Sequence, residues 1–274
     1  MRRESDKKNT FGKPEKREFR AKNTEEREIG ENVVFGRNPV LELLASGRDA
    51  EKIFVRKGEK TGSVNLILAK AKEAGIPVID AEAQKLDALA GGMPHQGVVA
   101  LAAGKEYCSV DDILAIAAER GEKPLILISD GIDDPHNLGA IIRTAELTGA
   151  HGLLIPKRRA VGLTAIVEKA SAGALEHFAV AKISNIAQTL EELKEKGLWI
   201  FCAEAGGERY DRADFDCPMA LVLGSEGFGV SRLVREKCDF TVSIPMRGKI
   251  NSYNVSSAAA ILLCETQRQR YLKA

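Results

Sequence analysis

Apolar residues gather into short runs at 125–129, 152–155, 178–181, 198–202, 221–223 and 241–244. Runs this short, with little alternation, are typical of strands buried on both faces of a parallel sheet. Helical spacing fills most of the gaps. In 137–149, Leu138, Ile141, Ile142 and Ala145 fall on one stripe, with Asn137 as the expected cap and Gly149 as the end. Further helices are predicted over 110–120 and 230–237. A last one opens near Asn254, with small residues at 256–260 that let it lie close to other backbone. Six strands alternating with helices predict a mostly parallel sheet covered on both sides.

Ahead of this lies a smaller alternation. Asn38 followed by Pro39 reads as a helix cap with proline at the first helical position; Val40, Leu41, Leu43 and Leu44 form the apolar face and Gly47 the stop. Strands are predicted at 52–55, 77–79 and 97–102, and helices at 64–74 and 84–90. The pattern divides the chain into a basic tail over 1–31, a small α/β unit over 32–103, a linker over 104–109 and a larger α/β unit over 110–274.

Composition narrows the class. The 274 residues are 44% hydrophobic and 29% charged, and no apolar run reaches the ~20 residues of a membrane span. The N-terminal stretch is charged, unlike a signal peptide, so a cytoplasmic protein is expected. The five cysteines, Cys108, Cys202, Cys217, Cys238 and Cys264, are scattered and mostly flanked by apolar residues, which predicts buried thiols. With no C-x-x-C pair and four isolated histidines, a metal site is not expected. The net charge of +1 conceals an asymmetry: residues 1–22 hold nine Lys or Arg against four Asp or Glu. This segment has no apolar periodicity and is expected to be disordered, serving either as a polyanion-binding tail or as a solubilising extension.

The candidate chemistry lies in the loops. In an open α/β sheet, ligands sit outside the carboxyl ends of the strands. There the run ending at Leu223 breaks into Gly224, Ser225, Glu226, Gly227 and Gly229, and the run ending at Ile244 leads through Pro245 into Arg247, Gly248, Lys249 and Ser252. Either loop alone could simply join a strand to a helix; two in succession, both rich in polar groups, favour a site. Lys157, Arg158 and Arg159 follow another strand end and either touch phosphate or form a solvated loop. Arg143 stands among apolar neighbours on its helix, where a lone arginine is ordinarily solvated.

Several site types are disfavoured. The chain has no G-x-x-x-x-G-K-[ST] phosphate loop. Gly224, Gly227 and Gly229 have the wrong order and position for a dinucleotide fingerprint, and Leu223 breaks a G-x-S-x-G elbow at Ser225.

N-L-G-A-I-I-R-T-A at 137–145, L-V-L-G-S-E-G-F-G at 221–229 and I-P-M-R-G-K-I-N-S-Y-N-V-S-S-A-A-A at 244–260 resemble the three motifs of the SpoU/TrmH family, the RNA 2′-O-ribose methyltransferases of the SPOUT superfamily. The resemblance spans 110–274. Residues 33–103, opening with Val34, Gly36, Asn38, Pro39, Val40, Glu42, Leu43 and Leu44, look like the small RNA-binding module that precedes the catalytic domain in many members. The resemblance implies a C-terminal trefoil knot, bound S-adenosylmethionine and a homodimer with active sites at the subunit interface. Gly224, Ile244 and Tyr253 match the cofactor-contacting positions, and Asn137, Arg143, Glu226, Ser252 and Asn254 the catalytic ones. RNA is expected to be held by the small unit, the tail, Lys157, Arg158 and Arg159. The two-unit layout points to a guanosine of 23S ribosomal RNA; the alternatives are transfer to tRNA, or a non-catalytic RNA-binding protein of ribosome assembly.

Overall fold

The computed structural model describes residues 32–58 and 60–272; the basic segment 1–31, expected to be disordered, lies outside them. The chain begins with β1 (Val33–Phe35), α1 (Arg37–Ser46), β2 (Ala50–Arg56), α2 (Ser63–Glu73), β3 (Val78–Ala81), α3 (Ala83–Leu89) and β4 (Val98–Ala102). These form a four-stranded sheet of order β1-β4-β2-β3, in which only β2 and β3 run parallel. The sequence pattern predicts three strands here. The fourth, β1, is three consecutive buried residues with neither alternation nor length to mark it.

Asn38 does not cap α1. The helix starts a residue before it, with Gly36 at the cap position at φ 99° and no side-chain cap. Instead, Gln96 reaches over from a distant turn, and its Oε1 accepts from the Arg37 N–H at 2.9 Å. The unpaired N–H at the helix start is thus met by a tertiary contact that local sequence cannot show.

The second unit runs α4 (Val110–Glu119), β5 (Leu125–Asp130), α5 (Pro135–Leu147), β6 (Gly152–Pro156), α6 (Ala165–Ala170), β7 (Ala179–Ile183), α7 (Ile186–Glu195), β8 (Trp199–Arg209), β9 (Met219–Gly224), α8 (Arg232–Glu236), β10 (Phe240–Ser243) and α9 (Val255–Leu272). Its six strands, in the order β10-β8-β9-β5-β6-β7, are all parallel. On central β5, Leu125 and Leu127 enter the core with Ile141 of α5 and Leu262 of α9, while Ile126 and Ile128 enter the opposite core with Ile113 of α4 and Leu190 of α7. Burial on both faces explains the unbroken apolar run, and each such side chain contributes roughly 1.5–3 kcal/mol.

Two details depart from the sequence pattern. First, α5 is capped by Asp134, whose carboxylate accepts from the His136 N–H, and Pro135 takes the first turn; Asn137 therefore lies inside the helix, with its side chain free for other bonds. Second, β8 is 11 residues long and does not stop at Cys202. Its pairing with β10 jumps from Thr241 opposite Cys202 to Val242 opposite Glu208, so 203–207 bulge out of the ladder. Cys202 is buried and Cys108, Cys217 and Cys238 partly so, but Cys264 is exposed, against the expectation of buried thiols; all five are free.

The two units meet through charge as well as apolar contact. Arg48 lies between Glu168 (2.7 Å) and Glu176 (3.2 Å), with side-chain exposures of 12%, 8% and 1%. The Glu176 contact is an attraction at ion-pair distance without hydrogen-bond alignment. Ser46 Oγ donates to the second Glu176 oxygen at 3.1 Å, and His177 pairs with Glu42 at 2.8 Å. Burial and the hydrogen bond shared with Glu176 push the Glu168 carboxyl up to about 8 despite Arg48. Ala165 of the larger unit packs into the same cluster as Val33 and Phe35 of the smaller.

Candidate functional site

Because the large sheet is wholly parallel, the carboxyl ends of its strands share one edge, and the loops there come from distant parts of the sequence. Between β9 and α8 the chain closes on itself. The Ser225 N–H donates to Gly229 O at 3.1 Å, the Gly229 N–H donates to Ser225 O at 2.9 Å, and Ser225 Oγ accepts from the Phe228 N–H at 3.3 Å. Gly224 is required by this closure, since a Cβ there would run into the Gly229 backbone. Gly229 itself stands at φ +66°.

Three of the predicted catalytic side chains meet at this edge. Asn137 Nδ2, from the first turn of α5, donates to Glu226 Oε1 at 3.0 Å. Asn254 Nδ2 donates both to Asn137 Oδ1 at 2.9 Å and to Glu226 Oε1. With its other end, Oδ1, Asn254 accepts from the Ser256 and Ser257 N–H groups at 3.0 and 3.2 Å, opening α9 as the sequence predicts. One polar triangle, of buried Asn137 with exposed Glu226 and Asn254, thus joins all three sequence motifs. It holds loops in place; a carboxylate that accepts two amide donors is a poor candidate for removing a proton.

Beside the triangle lies a cavity of about 410 Å³, within the usual range for small-ligand sites. Gly224, Ile244 and Tyr253 line it, with Glu226 and Ser252 also in the wall. Glycine backbone, aliphatic side chains and a few polar groups are the mixture usual in a small-ligand pocket. Ser252 is exposed and makes no side-chain hydrogen bond among the described residues.

Other predicted residues stand apart from this centre. Arg143 is exposed on α5, has no hydrogen bond or ion pair among the described residues, and does not line the cavity. Lys157, Arg158 and Arg159 are exposed directly after β6, on the same sheet edge. Their loop is tied to the one after β5 by the Val161 N–H donating to Ile132 O at 3.4 Å. Of the cavity-lining residues, Phe228 (95% exposed), Met246 and Tyr253 present apolar surface to solvent, and Ile250 (76%) is exposed on the loop after β10.

Two acidic residues of the site escape the sequence reading. Asp130 Oδ2 accepts from the Ser231 N–H at 2.7 Å, and Glu204 Oε2 from the Val230 N–H at 3.1 Å, so both pin the far end of the glycine loop. Glu204 stands in the β8 bulge; the glycine pair at 206–207 just after it is the sequence signal that could have revealed the bulge. Among the described residues, no group of three or more His, Cys, Asp or Glu is placed to hold a metal ion, and no helix is long and apolar enough to cross a membrane.

Known proteins resemble this chain in sequence and in fold. Residues 124–264 match the SpoU rRNA Methylase family, and residues 33–108 match the domain described as RNA 2′-O ribose methyltransferase substrate binding. YacO of Bacillus subtilis, a protein assigned as a TrmH family tRNA/rRNA methyltransferase, is 48% identical over 240 residues, covering 87% of this chain and 96% of its own. A Staphylococcus aureus protein of the same description is 45% identical over 242 residues, covering 88% and 97%. Among solved structures, the SpoU methyltransferase AviRb from Streptomyces viridochromogenes, in complex with AdoMet, superposes with a TM-score of 0.73 at 25% identity, covering 88% of this chain and 90% of that one. An RNA 2′-O ribose methyltransferase gives 0.73 at 26%, covering 87% and 88%. With its three motifs gathered at one edge of a parallel sheet, the chain belongs to the SpoU/TrmH family of RNA methyltransferases.

Proposed function

We propose that this protein methylates a ribose 2′-hydroxyl of RNA with S-adenosylmethionine as donor, and that its target is a guanosine of 23S ribosomal RNA. The observation that carries the reading is the convergence of Asn137, Glu226 and Asn254 at the mouth of a cavity lined by Gly224, Ile244 and Tyr253. When bound there, S-adenosylmethionine supplies an electrophilic methyl group. The residues' task is then to position a weakly nucleophilic hydroxyl and stabilise the charge that grows on it.

Arg143 carries that second task. Its guanidinium has no partner among the described residues, and a guanidinium keeps its charge, which suits it to stabilise a forming alkoxide and makes it a poor base. Ser252, in the cavity wall, relays the proton or positions the ribose. Arg143 stands outside the cavity of its own chain, and apolar Phe228 and Met246 of the cavity wall are exposed. Both observations support a homodimer in which the arginine of one copy completes the site of the other. The 33–108 unit, Lys157, Arg158, Arg159 and the basic tail hold the RNA, working in the cytoplasm.

A second reading, transfer to tRNA, is favoured by the description of the relatives as tRNA/rRNA methyltransferases. Incubation with labelled S-adenosylmethionine and either unmodified 23S RNA or total tRNA, followed by digestion to nucleosides, separates the two. Label in 2′-O-methylguanosine from 23S RNA alone is the expected result. Label confined to tRNA overturns the substrate, and no transfer to either overturns the activity.

A further inference from the structure

The cavity wall has an electrostatic character that its role as a methyl-donor site does not by itself require. Of the residues lining it, only Glu204 and Glu226 are charged, and both are acidic. Arg247 and Lys249, on the loop that follows β10, are exposed and stand outside the lining. The two carboxylates are not equivalent. Glu226 is engaged by the amides of Asn137 and Asn254. Glu204 forms no ion pair among the described residues, and one oxygen, Oε2, accepts from the Val230 N–H.

The position of Glu204 is built in rather than incidental. The bulge over 203–207 takes it out of the alternation of β8 and brings Ala203, Glu204 and Ala205 into the cavity wall. Gly229 is matched to it, because a Cβ there would lie 2.9 Å from both carboxylate oxygens. A carboxylate in a cavity wall with no cation beside it attracts a ligand that carries positive charge.

We infer that Glu204 makes the cavity selective for the charge of its ligand, favouring the sulfonium donor over the neutral thioether left after transfer. This rests on the reading that the cavity holds S-adenosylmethionine. Transfer forms a bond between the ribose oxygen and the methyl carbon with an electron pair of the oxygen, and the electron pair of the broken S–C bond stays on sulfur. The proton of the hydroxyl leaves to solvent, and S-adenosylhomocysteine has lost the sulfonium charge. The attraction to Glu204 therefore ends with the reaction, which eases exchange of product for fresh donor.

Calorimetric titration of S-adenosylmethionine and S-adenosylhomocysteine into the full chain and its Glu204→Gln variant tests this. Glutamine retains an acceptor for the Val230 N–H, so the loop contact survives while the charge goes. The variant is expected to lose about tenfold in affinity for S-adenosylmethionine and little for S-adenosylhomocysteine, the scale of one unit charge at several ångströms. An unchanged affinity ratio, whether both ligands weaken together or neither does, overturns the inference and leaves the cofactor reading standing. Failure of both ligands to bind the unmodified protein overturns that reading as well.

Discussion

Asn137 and Glu226 lie 89 positions apart and share a 3.0 Å hydrogen bond, from the amide of one to Oε1 of the other. The bond locks the first turn of α5 to the glycine loop after β9, and Asn254 closes the figure from α9. Side chains within one such network couple energetically. A double-mutant cycle of Asn137→Ala and Glu226→Gln should therefore show a coupling energy of about 0.5–3 kcal/mol in thermal unfolding. Additive effects would mean that the pair does not act as a unit.

Removing Asn254 should do more than remove one bond, because its Oδ1 also caps α9. Asn254→Ala is expected to cost about 1 kcal/mol for the cap alone, and more with both amide bonds gone. Asn254→Asp would keep the cap but place a second carboxylate against Glu226. A melting-temperature series over wild type, Asp and Ala should leave both variants below wild type.

Arg143→Ala should lower single-turnover methyl transfer by roughly a hundred- to a thousandfold, the usual loss for one charge-stabilising donor. Cofactor affinity, measured by calorimetry, should hardly move, because Arg143 does not line the cavity. Near wild-type transfer would remove Arg143 from the chemistry.

The junction around Arg48 should respond to pH. The folded Glu168 carboxyl is raised from 4.5 to about 8, so the folded state holds a proton that the unfolded chain has released. The associated stability is fully present below about 4.5 and is lost as pH rises through about 8. Thermal unfolding between pH 5 and 9 should show stability falling with rising pH. Glu168→Gln, fixed in the proton-bearing form, should flatten that slope, and a parallel slope in the variant would count against the assignment.

Replacing Lys157, Arg158 and Arg159 together by Ala should weaken RNA binding across sequences and reduce the steepness of its salt dependence by about 0.7–0.9 per lost phosphate contact. Filter binding between low and moderate salt would measure it. An unchanged slope would place the triplet off the RNA path.

The sequence carries the strands of the large sheet plainly, because β5, β6 and β9 are buried on both faces and therefore read as unbroken apolar runs. It also carries the opening of α9 near Asn254. What it hides depends on partners far along the chain. Asn137 looks like a cap, but Asp134 takes that place, and the real partner of Asn137 is Glu226. Asn38 loses its expected role to Gln96. Glu204 stays hidden because β8 passes its predicted end and bulges, and a bulge is a property of two paired strands. Arg143 is legible as a motif position, while its exposed, unpartnered state becomes visible only in the fold.

The Arg48 junction also bears on how a target nucleotide would be chosen. Glu168 and Glu176 meet Arg48 and Ser46 across it, and a junction that keeps one spacing would make the two units the jaws of a fixed-gap caliper. On the proposed reading, a folded RNA held on the smaller jaw would offer to the cavity only the nucleotide that its own shape places at that span. Selection would then measure distance through the RNA, and a helix lengthened by one base pair would present a different ribose to an unchanged protein.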